Sequence, residues 1–187
     1  GMTTFACGYP RKSTPGSLWV YHTSDTYLLG RALDGDLAAD SFNWMVENIY
    51  TPLKLSPTAK AMIRTFDAAN QQVSGYGLTF HRDGVVKLAE FLNTAGGAIA
   101  GVQKLDPAMV NETLQNTAYH GLTAGSAYDF YDNGFWIWKA DAALGCGSAR
   151  YIPYMSGFGG ISVVLLPNTM AYYFFSDNAE YTFNNSV

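Results

Sequence analysis

The spacing of apolar positions changes character once along this chain. In the first part they recur every three or four residues, as one face of a helix requires. Tyr27, Leu28, Leu29 and Leu33 form such a face from Thr23 to Leu33, with Thr23 or Ser24 placed to cap it and Asp25 in its first turn. Phe42, Met45, Val46 and Ile49 predict a second helix from Asp40 or Ser41, stopped by Pro52. A short helix is expected from Thr58 to Thr65, and Ala68 to Gly77 reads as a polar connection. Val85, Val86, Leu88, Ala89, Phe91 and Leu92 then give the broadest apolar face, capped by Asp83 and ended by Gly96-Gly97. Asp106-Pro107 opens a further helix through Met109, Val110 and Leu114.

Past Gln115 the periodicity gives way to aromatic and β-branched runs at Phe135 to Trp138, Ile161 to Leu166 and Met170 to Phe175, with a Pro167-Asn168 turn between the last two. These predict a C-terminal antiparallel sheet of about three strands. The last two runs are apolar on both faces, so cover is expected on each. The expected class is α+β in a single domain over 1–187: an irregular lead-in over 1–20, a mainly helical part over 21–116 and a mainly antiparallel sheet over 117–187.

Composition narrows the function. The 187 residues are 48% hydrophobic, enough for a packed core, but only 14% charged, with a net charge of −4 and no Lys/Arg run. A phosphate-backbone binder needs the opposite balance, so no nucleic-acid partner is expected. No apolar run approaches the roughly 18 residues of a membrane-spanning helix. The three histidines, His22, His81 and His120, show no metal-ligand spacing, no GxSxG elbow or phosphate loop occurs, and neither a metal nor a cofactor is expected. Cys7 and Cys146 form no CxxC. They read as free thiols unless the fold brings them together.

Two segments have chemistry in them. In Pro15-Gly16-Ser17-Leu18-Trp19-Val20-Tyr21-His22-Thr23, a Tyr precedes a helix start among hydroxyls; a neighbouring cation would turn it into a proton shuttle, and without one it is a packing residue. In Tyr154-Met155-Ser156-Gly157-Phe158-Gly159-Gly160, small residues before a strong strand let a ligand or another backbone approach closely, or simply make a tight turn.

Taken with IYTPLKLSP, GYGLTFHRDGVVKLAEFLNTAGG, KLDPAMVNETL and SGFGGISVVLLPNTMAYYFFSDN in this order, the chain resembles the β-lactamase-related serine hydrolases, the class C β-lactamase and penicillin-binding-protein-like esterase group, from about Pro15 to Asn178. The resemblance implies a truncated β-lactamase/transpeptidase-like fold and acyl transfer through a serine ester, on a small-molecule ester or amide. It implies Tyr21 and Ser156 as catalytic residues sharing one cleft, with Thr23, Gly157 and Phe158 binding substrate, the Phe158 N–H as half of an oxyanion hole. The family nucleophile, the Ser of Ser-x-x-Lys, is missing: no Ser here has a Lys three residues later, and Ser56 to Lys60 has it at four. Met155 stands where the family often has Lys or His, and Thr23 where it has Asn. The expectation is therefore a piece of a longer hydrolase, inactive or nearly so alone. A non-catalytic binding or assembly module and a cysteine enzyme using Cys146 are the alternatives. The resemblance implies a first strand to pair with the last one and a terminal helix to cover it, neither of which is read here, so the Met170 to Phe175 strand, with no Lys or Arg after Arg150 to protect it, is expected to be a bare edge through which the chain forms a homodimer.

Overall fold

The structure, a computed structural model, describes residues 2–66, 68–141, 145 and 147–176. They form five α-helices and two antiparallel sheets, of two and six strands, so mixed α and β structure is present as the periodicity predicts. The chain divides into two compact units, residues 1–84 and 85–187.

In the first unit a short helix α1 (Met2–Ala6) opens the segment expected to be irregular. Helix α2 (Thr23–Leu37) buries Tyr27 and Gly30 and ends in a left-handed turn at Ala38. Its N-cap residue is His22 rather than Thr23 or Ser24, in an extended conformation and without a side-chain cap bond. Helix α3 (Ser41–Met45) starts from Asp40, whose carboxylate accepts the Asn43 N–H at 2.9 Å, and widens into a π-turn over Val46–Tyr50 in which Thr51 N–H reaches the Val46 carbonyl at 2.8 Å. The widened turn buries both Ile49 and Tyr50. Beyond it, the helix expected from Thr58 shrinks to a 3₁₀ turn, Pro57–Lys60.

The polar connection after it is not a free loop. Gln72 is buried, and its amide donates to Asp34 at 2.7 Å and to the Ser41 hydroxyl, tying this segment to α2 and α3. Arg64 donates to Asp40 at 2.7 Å and to the Asn70 carbonyl at 3.1 Å. Burial pushes the Asp40 carboxyl up, but the Arg64 and Asn43 hydrogen bonds and the positive charge of Arg64 outweigh it, and the net position is below the usual 3.8. A carboxyl depressed in the folded state stabilises above its unfolded value and loses that stabilisation as pH falls through the folded one. Acid titration of the first unit is therefore expected to begin losing stability below about pH 4 through Asp40, and Arg64→Met to remove most of that acid dependence, read from the pH profile of urea midpoints.

Helix α4 (Arg82–Asn93), which belongs to the second unit from Val85 on, buries Val85, Ala89 and Phe91; Asp83 lies in its first turn rather than capping it. Gly96 and Gly97, at φ +59° and +80°, end it as the sequence predicts. A two-residue hairpin, β1 (Ala98–Ile99) with β2 (Val102–Gln103), leads to α5 (Pro107–Thr113), capped by Asp106 through the Ala108 and Met109 N–H groups.

The larger sheet has six strands, not about three. Its spatial order follows the chain, β3 (Leu122–Thr123), β4 (Asp129–Asp132), β5 (Phe135–Ala140), β6 (Arg150–Gly157), β7 (Ile161–Leu165) and β8 (Ala171–Phe175). β3 and β4 are too short and polar for a periodic signal, and β6 is broken in sequence by Pro153, which pairs with Ile137 inside the sheet where proline is seldom found. Ile137 is fully buried, and Ser162, Val163, Val164 and Leu165 are all buried, so β7 is covered on both faces as expected. β8 is not: it lies at the edge, with Tyr172, Tyr173 and Phe175 exposed. The Asn93 amide holds the β7–β8 hairpin by donating to the Leu166 and Met170 carbonyls at 3.0 and 2.9 Å.

Candidate functional site

Tyr21 and Thr23 belong to the first unit, and Ser156, Gly157 and Phe158 to the second. Tyr21 lies just before α2, half exposed, with its ring tilted 35° against that of Trp19 at 6.3 Å. Thr23 begins the helix and packs on Gly75. A Cβ there would come within 2.5 Å of the Thr23 methyl and 2.7 Å of its carbonyl oxygen, so a glycine is what lets the connection close over the helix start. An apolar groove in the same unit is lined by Thr58, Ala61, Met62, Ile63, Gly77 and Thr79, none of them titratable.

Ser156 and Gly157 close β6, opposite Ser162 and Ile161 of β7. Ser156 is exposed while its partner Ser162 is buried. The ladder ends at the Gly157–Ile161 pair, so the Phe158 N–H lies outside the strand pairing, and Phe158 itself is 93% exposed at the tip of the turn. Gly159 and Gly160 take φ +95° and +84°, a path that a side chain would strain; the glycine pair is what makes the turn this tight. This turn presents a hydroxyl and a backbone donor to solvent. It presents no base.

A row of aromatic rings runs across the sheet beside it. The strand register aligns Tyr131, Trp136 and Tyr154 on neighbouring strands, with ring centroids 5.4 Å apart for the first pair and 6.3 Å for the second. Tyr154 and Ser156, two residues apart on β6, share this face. Burial, with the Asp129 charge adding to it, pushes the Tyr154 phenol up to about 12, so it stays protonated and is no proton shuttle at neutral pH.

Chain order missed one cluster. His120, Gln115, Glu112 and Asp132 come together where α5, the loop after it and the end of β4 meet. In the sequence only His120 stands out, as a histidine without ligand spacing, because a polar cluster assembled by a loop leaves no periodic trace. Among the described residues no group of three His, Cys, Asp or Glu side chains is arranged to hold a metal ion. Cys7 is exposed and free, and Cys146 lies outside the described residues.

No family model matches the chain, and no curated protein does.

Proposed function

We propose that the chain carries part of the acyl-transfer site of a β-lactamase-like serine hydrolase, acting on small-molecule esters or amides, and that it does not turn substrate over by itself. The observation that supports this most is the Ser156-Gly157-Phe158 turn: an exposed hydroxyl at the end of a central antiparallel strand, followed by a backbone N–H outside the ladder and two glycines at positive φ. On this reading Ser156 orients the substrate and relays a proton, the Phe158 N–H is half of the oxyanion hole and Gly157 leaves room for the acyl group. The missing part is the nucleophile. Half an oxyanion hole without one leaves almost no rate enhancement.

Purified chain is accordingly expected to hydrolyse neither nitrocefin nor p-nitrophenyl esters above the buffer rate. Turnover abolished by Cys146→Ala would establish a cysteine enzyme in place of this reading, and turnover abolished by Ser156→Ala a serine site of another design.

The partner we propose is a second copy of the chain, joined edge to edge at β8. Tyr172, Tyr173 and Phe175 are 46%, 38% and 43% exposed there, β7 is the one strand beside β8 among the described residues, and no Lys or Arg follows Arg150 to discourage a second strand. Antiparallel pairing about a two-fold axis satisfies both edges at once and then closes, whereas an open edge keeps adding strands. Among the described residues no helix is long and apolar enough to cross a membrane. A non-catalytic assembly module, the alternative function, would use the same edge.

A further inference from the structure

The His120 cluster stands apart from every residue used above. His120 stacks flat on Tyr151, with centroids 3.5 Å apart and planes 11° from parallel, so its ring cannot swing. Its Nδ1 lies 2.9 Å from Gln115 Oε1. Which of the two donates follows from the other end of the amide. Gln115 Nε2 donates to the Glu112 backbone carbonyl at 3.1 Å, and the Gln115 side chain is also hydrogen-bonded to the Asp132 carboxyl. A carbonyl and a carboxylate only accept, so the NH₂ must face them and the amide oxygen must face the imidazole. That oxygen cannot donate, and the proton is therefore on His120 Nδ1.

We propose that Asp132, Gln115 and His120 form a hydrogen-bonded chain that fixes the imidazole with its proton on Nδ1 and its lone pair on Nε2, making His120 Nε2 a positioned proton acceptor. Asp132 supports this independently. The residue is 7% exposed, and its Oδ2 is buried without a hydrogen-bond partner, so its carboxyl sits behind the amide with one oxygen left unsatisfied. Burial, reinforced by the nearby charge of Glu112, pushes the Asp132 carboxyl up, against the Gln115 and Asn133 hydrogen bonds and the His120 charge. When Nε2 takes a proton, the imidazolium gains that carboxylate as its counter-charge through the amide, the arrangement by which a buried acid steadies a base. Burial holds His120 itself below the usual 6.5, while Asp132 pulls the other way. The charged and titratable groups of the surrounding elements are Glu112 on α5, Asp132 on β4, Tyr151 on β6 and Lys139, which pairs with Tyr151 from β5. Gln115 and Asp132 are positioning residues here.

The test is the tautomer and titration of His120 in the full chain, by long-range ¹H–¹⁵N correlation NMR, together with site-resolved labelling by diethyl pyrocarbonate, which attacks an unprotonated imidazole nitrogen. The expected result is an Nδ1–H tautomer, a titration midpoint below 6.5 and labelling of His120 that falls about tenfold for each pH unit below that midpoint. Asp132→Asn should lower the midpoint further, since the carboxylate that favours the imidazolium is gone, and Gln115→Ala should release the ring to a mixture of tautomers. Both substitutions keep the backbone, and amide dispersion confirms folding in each. A wild-type Nε2–H tautomer, or a Gln115→Ala variant with unchanged tautomer and midpoint, would overturn the proposal.

Discussion

Gly121→Ala is expected to destabilise the second unit by about 2–4 kcal/mol, the range of a strained backbone position combined with a steric clash. Gly121 takes φ +86°, which L side chains adopt at a cost, and a Cβ there would run into the carbonyl of Tyr131 and within 2.8 Å of Asp132 Cβ. That backbone cannot give way cheaply, because Tyr131 is paired on both sides, with Leu122 and with Trp136. Gly134→Ala is the control. It has the same sign of φ, +85°, but nothing within 4 Å of the added methyl, so only the conformational cost of about 1 kcal/mol remains. Urea unfolding followed by the fluorescence of Trp136 and Trp138 on β5 separates the two. Equal losses would show that the close approach of the loop to β4 does not matter to stability.

Tyr173→Lys is expected to convert the proposed dimer into a monomer, so that the light-scattering mass falls from twice 20.4 kDa to 20.4 kDa. The residue sits in the middle of β8 with its side chain 38% exposed, and two such lysines across a two-fold axis would repel each other in the paired state while remaining solvated in the free one. The substitution leaves the β7–β8 register through Val163 untouched, so the sheet of each copy should keep its far-ultraviolet spectrum. A wild-type mass of 20.4 kDa at every concentration contradicts the dimer outright.

Legibility in the sequence followed the length and regularity of each element. α2 began at Thr23 as expected because its apolar face runs through four turns, and α5 was announced by Asp106-Pro107, a cap and a first-turn proline whose bonds are all local. The π-turn over Val46–Tyr50 has no such signature, since Phe42, Met45, Val46 and Ile49 keep ordinary helical spacing up to its end. β5, β7 and β8 stand out by their aromatic and β-branched runs, whereas the small residues of Tyr154 to Gly160 read as a turn and give no sign of β6. The expectation of cover on both faces fails for β8 because an apolar strand is usually interior, whereas this one lies last in the sheet order with Tyr172, Tyr173 and Phe175 exposed. Of the candidate site, the Ser156-Gly157-Phe158 turn was legible because glycines at positive φ are a local requirement. The His120 relay was not, because it joins a helix end, a loop and a strand end through side chains whose spacing repeats nothing.

The central claim is that the chain holds acyl-site residues without an activated nucleophile, and covalent labelling tests it most directly. Chain incubated with a fluorophosphonate probe and, separately, with a penicillin probe is predicted to keep its unmodified mass, because neither reagent is opened by a serine that lacks an adjacent base. A stoichiometric adduct with either probe, mapped to any serine or to Cys146, would contradict the claim and identify the nucleophile.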